Sequence, residues 1–274
     1  MPNWHSDHIQ SNGLRIHYTR TGGDKPPVVL AHGFSDNGLC WTPVAQILAA
    51  DYDVIMVDAR GHGLSDAPAT GYALTDMAAD LGGVIRGLGL PKPAVLGHSM
   101  GGATTYVLAG TQPDLPGAIL IEDAGGINLA SASRPDSAER MKQARERMTN
   151  LQRMTRAEVL AQGRQTNPHW SEAELEPWAD AKQQFNLHAL NRMGTSVDNW
   201  PEIVAHITCP ALLLTADVHK GAIVDADGVG ALQQAIPQLE VVNIPGAGHN
   251  IRREQFARYM EVVQSFLRTS VINS

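Results

Sequence analysis

In the run Ala94-Val95-Leu96-Gly97-His98-Ser99-Met100-Gly101-Gly102, a short apolar strand passes through Gly-x-Ser-x-Gly into helix-forming residues. A serine on such a turn is held in a strained backbone conformation that presents Oγ at the open end of a sheet. The flanking glycines are needed where any side chain would strike neighbouring backbone. The helix that starts there adds a positive N-terminal dipole, which favours an oxyanion beside it. Ser99 is therefore the candidate nucleophile for attack on a carbonyl carbon. A second run, Val28-Val29-Leu30-Ala31-His32-Gly33-Phe34, reads as a buried strand ending in His-Gly-Phe. Gly33 allows a sharp turn that aims the backbone N–H of Phe34 at the substrate oxygen. With the N–H of Met100 it would make a two-donor oxyanion hole, worth roughly 3 kcal/mol per donor in transition-state stabilisation. His32 itself is expected to bond loop backbone. Near the C-terminus, Gly246-Ala247-Gly248-His249 follows the last apolar run, and two glycines give that loop the freedom to bring an imidazole over Ser99. His249 is the candidate general base.

Positioning these groups requires a sheet whose strands all end on one side. Short apolar runs bounded by Gly or Pro alternate with helix-period stretches, the pattern of parallel strands joined by helical crossovers. A hairpin is expected at His8 to Ser11 and Leu14 to Thr19 around Asn12-Gly13. Strands are then expected at Val28 to Ala31, Val54 to Asp58, Ala94 to Leu96, Ala118 to Glu122, Ala211 to Thr215 and Val241 to Ile244. Helices are expected at Pro43 to Ala50, Thr75 to Leu88, Ser99 to Gly110, Gly228 to Ala235 and Glu254 to Leu267. Asp225 and Asp227 read as helix-start residues. The alternation lapses once, between Gly126 and Ile207, where helix periodicity continues without a strand. That predicts a core of residues 1–126 and 207–274 with a helical cap inserted at 127–206. In the cap, Met141, Ala144, Met148 and Leu151 share one helical face. Eight basic and four acidic residues lie between Arg134 and Arg164, against two and six between Gln165 and Ala205. That asymmetry fits either steering of an anionic substrate or solvated helix faces.

Composition removes several classes. Apolar residues make up 43% and charged residues 18%, enough to build a core and too little charge for a disordered chain. Lys and Arg total 21 against 28 for Asp and Glu, with no basic block to neutralise phosphates, so no nucleic-acid partner is expected. The apolar runs are of strand length and Met1 to Gln10 is polar, so no membrane association is expected and the expected location is cytoplasmic. Cys40 and Cys209 form no CxxC pair and read as buried small apolar residues. His5, His8, His17, His169, His188 and His206 show no partner pattern. No metal-ligand spacing occurs, so neither metal nor cofactor is expected. A small-molecule substrate is the expected partner, with a homodimer admitted.

Taken together, His-Gly-Phe, Asp58-Ala59-Arg60-Gly61-His62-Gly63-Leu64-Ser65, Gly-His-Ser-Met-Gly and the C-terminal Gly-His resemble the α/β-hydrolase superfamily, over most of the chain outside the cap. The resemblance implies an α/β-hydrolase fold, a mostly parallel central sheet flanked by helices with an inserted helical cap. It also implies that Arg60 and His62 support the floor of the site. Haloalkane dehalogenases and epoxide hydrolases of this fold carry Asp at the elbow, and Ser99 argues against both. Most relatives place the triad acid in a Gly-x-x-Asp loop after the penultimate strand, where this chain has His219, with Asp217 two residues early. A minority, including N-formylmaleamate deformylase-like amide hydrolases, carry it at the end of the preceding strand, where this chain has Asp123. Asp123 is thus the expected acid and Asp217 the alternative. The implied activity is a cofactor-independent serine hydrolase acting on a carboxylic ester or activated amide of a small to medium organic substrate. Carbon–carbon bond hydrolysis, amide deformylation and a non-catalytic ligand receptor are the alternatives. Trp41, Met148, Trp170 and Trp178 are the candidate pocket residues.

Overall fold

The computed structural model describes residues 4–124, 137–194, 197 and 199–271. Its strands are β1 (His5–Ser11), β2 (Leu14–Arg20), β3 (Pro27–Ala31), β4 (Asp53–Val57), β5 (Ala94–His98), β6 (Ala118–Glu122), β7 (Ala211–Thr215) and β8 (Leu239–Asn243). They form one sheet in the order β1-β2-β4-β3-β5-β6-β7-β8. Pairing is antiparallel from β1 to β2 and from β2 to β4, and parallel from there on. The first hairpin turns through Asn12 and Gly13, both at positive φ (50° and 78°), as a two-residue turn requires.

The central strands are apolar on both faces because helices cover both. Val28 and Leu30 of β3 point into one core layer, while Val29 and Ala31 point into the other. The first layer is completed by α1 (Thr42–Leu48) and α10 (Phe256–Val271), and the second by α2 (Leu74–Gly87), α3 (Met100–Thr111) and α8 (Ala226–Ala235). Asp225 caps α8, its carboxylate accepting the Gly228 N–H at 2.8 Å, as expected of a helix-start residue. The helix expected over 254–267 is α10, which starts two residues later and runs on to Val271; a short helix not expected from the sequence, α9 (Ile251–Glu254), precedes it across a break at Gln255 (φ −134°). The break lets α9 drive Arg252 and Arg253 into the interior while α10 lies along the sheet. Cys40 and Cys209 are free, buried thiols, as expected, and burial pushes them up to about 12 and about 11.

Between β6 and β7 lie α4 (Ser137–Arg153), α5 (Arg156–Thr166), α6 (Glu172–Gln184) and α7 (Trp200–Ala205), with no strand among the described residues. The expected start of this insertion, at residue 127, lies outside the described residues. Met148 and Leu151 of α4 are buried, and Met141 and Ala144 are half-buried on the same face. Ala144, Met148 and Leu151 pack with Leu175 and Trp178 of α6 and with Met77 and Met100 of the sheet-side helices. Among the described residues no helix is long and apolar enough to cross a membrane.

The turn from β5 into α3 leaves no room for a side chain at its glycines. A Cβ on Gly97 would lie 2.3 Å from the Gly101 carbonyl oxygen, and one on Gly101 would lie 2.1 Å from that of Ala31. Both obstacles are backbone, so neither moves without displacing a strand or helix. Gly101→Ala is expected to cost about 3 kcal/mol of stability, read as a lowered urea midpoint at unchanged slope. A variant as stable as the parent would show that the turn relaxes freely.

Candidate active site

Ser99 occupies the turn between β5 and α3 at φ 51° and ψ −114°, a conformation unfavourable for any residue with a side chain. Its N–H is held by the Glu122 carbonyl of β6 (3.0 Å), and its own carbonyl accepts from Ala103 (2.9 Å). Ser99 Oγ lies 3.0 Å from His249 Nε2, and His249 Nδ1 lies 2.7 Å from Asp123 Oδ2. With Nδ1–H donated to the carboxylate, Nε2 presents its lone pair to the serine hydroxyl.

Asp123, fully buried and also at positive φ (39°), leaves the end of β6. Its oxygens accept the N–H groups of Ile223 and Val224 at 2.9–3.1 Å. The loop after β7, where the acid lies in most relatives, thus contributes two donors that hold the carboxylate. Asp217, the alternative, is elsewhere: its Oδ2 accepts the Gly246 N–H (2.8 Å) and its N–H bonds the Ala247 carbonyl (2.9 Å). It braces the loop that carries His249. His98 braces the same loop, its Nε2–H donated to the His249 carbonyl (2.9 Å). Burial, with Arg252 and His249 nearby, holds His98 well below the usual imidazole value, so it stays neutral.

Of the expected oxyanion donors, Met100 directly follows Ser99 and Phe34 lines the same cavity as Ser99. Met100 is the first residue of α3, where a backbone N–H has no acceptor within the helix. Phe34 is fixed by edge-to-face contacts with Phe185 (5.2 Å) and His62 (5.8 Å). Burial, aided by the charge of His32, pushes His62 down to about 3, so it acts as a neutral packing ring. His32 bonds backbone as expected, with Nδ1–H donated to Gly33 and Nε2 accepting from Ala59. Arg60 forms a buried two-point pair with Asp80 (2.5 and 2.6 Å), consistent with a supporting role.

A cavity of about 620 Å³ opens above Ser99 and His249. Phe34, Met148, Trp170 and Trp178 line it, but Trp41 does not. Trp41 is fully buried against the sheet, because the 3-10 turn Gly38–Trp41 directs it inward, where Arg252 stacks on it at 4.2 Å. The cavity wall also holds Ser35, Asp36, Arg140, Arg147, Lys182 and Arg253, none of which the sequence reading singled out. Arg140 and Arg147 share the α4 face already marked by Ala144, Met148 and Leu151, so periodicity carried that signal. The Arg252-Arg253 pair just after Gly-His was a second one. Lys182 had no local signal, since its partners lie nearly 150 residues away.

Those partners form a buried charge cluster. Asp36 accepts from Lys182 Nζ (3.1 Å) and from the Arg253 guanidinium (2.9 Å), with Arg252 at 3.5 Å. Burial opposes its ionisation, yet Arg253, Lys182 and Arg252 outweigh that and hold it well below the carboxylate range. Arg253 also bonds Glu174 (3.0 Å), and Arg252 bonds Glu122 (3.2 Å). Lys182 further donates to the carbonyl (2.6 Å) and hydroxyl (3.0 Å) of Ser35, which sits at φ 62°. Asn37 donates to Gln184 (2.8 Å). The end of α6 thereby grips the whole turn that follows Phe34.

A second Ser–His–Asp relay lies outside the lining of that cavity. His17, which showed no partner pattern in the sequence, is buried with Nδ1 2.8 Å from Asp58 Oδ2 and Nε2 2.8 Å from Ser6 Oγ. Ser6 is exposed on β1, at the sheet edge.

Comparison with known proteins places these observations in a lineage. The Alpha/beta hydrolase family matches residues 28–262. N-formylmaleamate deformylase from Pseudomonas putida KT2440 is 26% identical over 270 residues, covering 94% of this chain and 95% of that one. 2-(Acetamidomethylene)succinate hydrolase from Mesorhizobium japonicum is 35% identical over 122 residues, 43% of this chain and 44% of that one. The crystal structure of N-formylmaleamic acid deformylase from Pseudomonas putida S16 superposes with a TM-score of 0.78 at 22% identity, covering 94% of this chain and all of that one. The fold is therefore the α/β-hydrolase fold.

The two carboxylates near His249 make separable predictions. Asp123→Asn keeps the shape but spoils the imidazole tautomer, a change expected to cost on the order of 10⁴ in turnover. Asp217→Asn is expected to cost far less turnover and to lower the melting temperature by loosening the Gly246 loop. Steady-state kinetics of both variants on one chromogenic ester checks this, and the reverse ranking would move the acid to Asp217.

Proposed function

The chain belongs to the alpha/beta hydrolase family, and from that premise we propose that it cleaves a carboxylic ester, or an activated amide, of a small to medium organic molecule through an acyl-enzyme on Ser99. The observation that carries this reading is the continuous relay from Ser99 Oγ through His249 to Asp123, at 3.0 and 2.7 Å, on the floor of a partly enclosed cavity. His249 takes the Ser99 proton as Oγ attacks the carbonyl carbon. Asp123 stabilises the imidazolium, and His249 then returns the proton to the leaving group. A water activated by the same imidazole clears the acyl group. The N–H groups of Phe34 and Met100 stabilise the tetrahedral oxyanion. The helices α4 to α6 act as a cap that encloses the acyl or leaving group and selects it. The amide variant is supported by the similarity to N-formylmaleamate deformylase, which extends over 94% of this chain. The same three side chains serve ester and amide alike, because the leaving group is protonated by His249 in both.

A fluorophosphonate probe is expected to add one adduct mass at Ser99 in the parent protein and none there in Ser99→Ala, with intact mass and peptide mapping as the readout. Adduct formation elsewhere with Ser99 unmodified removes the assignment. Lys182→Met tests the oxyanion turn. Losing the grip on Ser35 is expected to lower kcat by about tenfold or more while KM changes little, because a donor aimed at the oxyanion acts mainly in the transition state. Steady-state kinetics resolves the two constants, and a pure KM effect would assign Lys182 to substrate binding instead.

A further inference from the structure

The charges around the cavity do not balance once their internal pairings are counted. Asp36, Glu122 and Glu174 are matched by Lys182, Arg252 and Arg253 through buried contacts of 2.9–3.5 Å. Lys182 has three short contacts, to the Ser35 carbonyl, the Ser35 hydroxyl and Asp36, which occupy all three of its protons. Arg253 is engaged by Asp36, Glu174 and Asn250 and covered by the Trp170 ring at 4.4 Å. These cations are spent on the fold. Arg140 and Arg147 are not: both line the cavity, both are exposed, and neither has an ion-pair or hydrogen-bond partner among the described residues. Asp36, the one acidic residue lining the cavity among the described residues, is already enclosed by its own cations.

Arg140 and Arg147 lie seven residues apart on α4, two turns along one face and about 10 Å apart along the axis. Ala144, Met148 and Leu151 complete that face, so the wall presents two guanidinium forks beside an apolar strip. Two surplus positive charges in a partly enclosed, low-dielectric space draw an anion, and a guanidinium fork matches the two oxygens of a carboxylate.

The geometry points to a carboxylate-binding subsite made by Arg140 and Arg147, which selects substrates bearing a carboxylate remote from the bond cleaved at Ser99. This inference rests on the acyl-transfer reading for the reaction but not for the binding. The subsite is separate from the relay, and a ligand that cannot be hydrolysed still occupies it. The arginines act on specificity: they hold the far end of the substrate so that its carbonyl sits over Ser99.

The test uses the full-length protein in two arms. In the first, the nitrophenyl monoester of glutarate is compared with nitrophenyl valerate, a neutral match in length. The anionic ester is expected to have the higher kcat/KM, with an advantage that falls about tenfold or more in Arg140→Gln or Arg147→Gln and shrinks as salt is raised. Arg147→Glu is expected to reverse the preference. In the second arm, Ser99→Ala is titrated calorimetrically with glutarate, glutaramide and a short alkyl phosphate. Glutarate is expected to bind most tightly, and to bind more weakly when either arginine is also changed to Gln. An unchanged ester ratio in the arginine variants, equal binding of glutarate and glutaramide, or tighter binding of the phosphate each overturns the carboxylate subsite. Arginine-dependent glutarate binding with neither ester hydrolysed by the parent protein upholds the subsite and removes the acyl-transfer reading instead.

Discussion

Asp36 is a carboxylate with 6% side-chain exposure, and the parts that must meet over Ser99 are all tied to it. It lies two residues after Phe34, on the turn that leaves β3. One oxygen takes the ammonium of Lys182 from α6, and the other takes the guanidinium of Arg253 from α9, which begins two residues after His249. The candidate oxyanion turn, the base-bearing loop and the overlying helix therefore share one buried reference point. Such a cluster contributes little net stability over a well-packed apolar core, but removing one partner leaves a charge buried and unpaired, at a cost of about 3–5 kcal/mol. Its gain is geometric: three segments distant in sequence cannot shift independently.

Backbone strain is concentrated in the same place. Of the five non-glycine residues at positive φ among those described, Ser35, Ser99 and Asp123 belong to the candidate site. Each such conformation costs about 1–3 kcal/mol and persists only where its surroundings over-determine it. Here they do. Ser35 is gripped by Lys182, the Ser99 N–H is held by β6, and the Asp123 N–H is held by Leu214 of β7. The last two bonds extend the parallel ladder just past the ends of the strands. The sheet's own register thus sets Ser99 and Asp123 at fixed heights, while the loop carrying His249 is positioned by side chains, Asp217 and His98 among them.

What the sequence made legible follows from the range of each interaction. All eight strands were readable because their patterns are local, an apolar run ended by Gly, Pro or a polar turn. Boundaries moved by a few residues, as for β5, which extends to His98, and β1, which begins at His5. Ser99 and His249 announced themselves through glycines required by close backbone approach. Asp123 was favoured over Asp217 on the resemblance to relatives that carry the acid at the end of the preceding strand, and the structure sets its carboxylate 2.7 Å from His249 Nδ1. The Asp36 cluster was illegible because its members, spread from residue 36 to residue 253, have no pattern until the chain is folded. Trp41 was misplaced for a related reason. An aromatic residue near the mouth of a site has the same local signature as one in the core, and only the Arg252 stack distinguishes them. The C-terminal helix was read from its period with its start two residues early, whereas the short α9 before it, which carries the buried Arg252 and Arg253, has too few residues to show a period.

Ser6, His17 and Asp58 repeat the order of donors and acceptors found in Ser99, His249 and Asp123, with each distance within about 0.2 Å of its counterpart. The two relays differ in their settings. Ser6 belongs to an exposed strand at the sheet edge, whereas Ser99 occupies a strained turn at the mouth of a helix, beneath a cavity. The protein thus contains its own internal reference. Whatever nucleophilicity Ser6 has toward a reactive ester is what a hydrogen-bonded imidazole and carboxylate confer alone. A difference in rate between the two hydroxyls toward one reactive ester, in one molecule under one set of conditions, would measure what the strained turn and the cavity at Ser99 add.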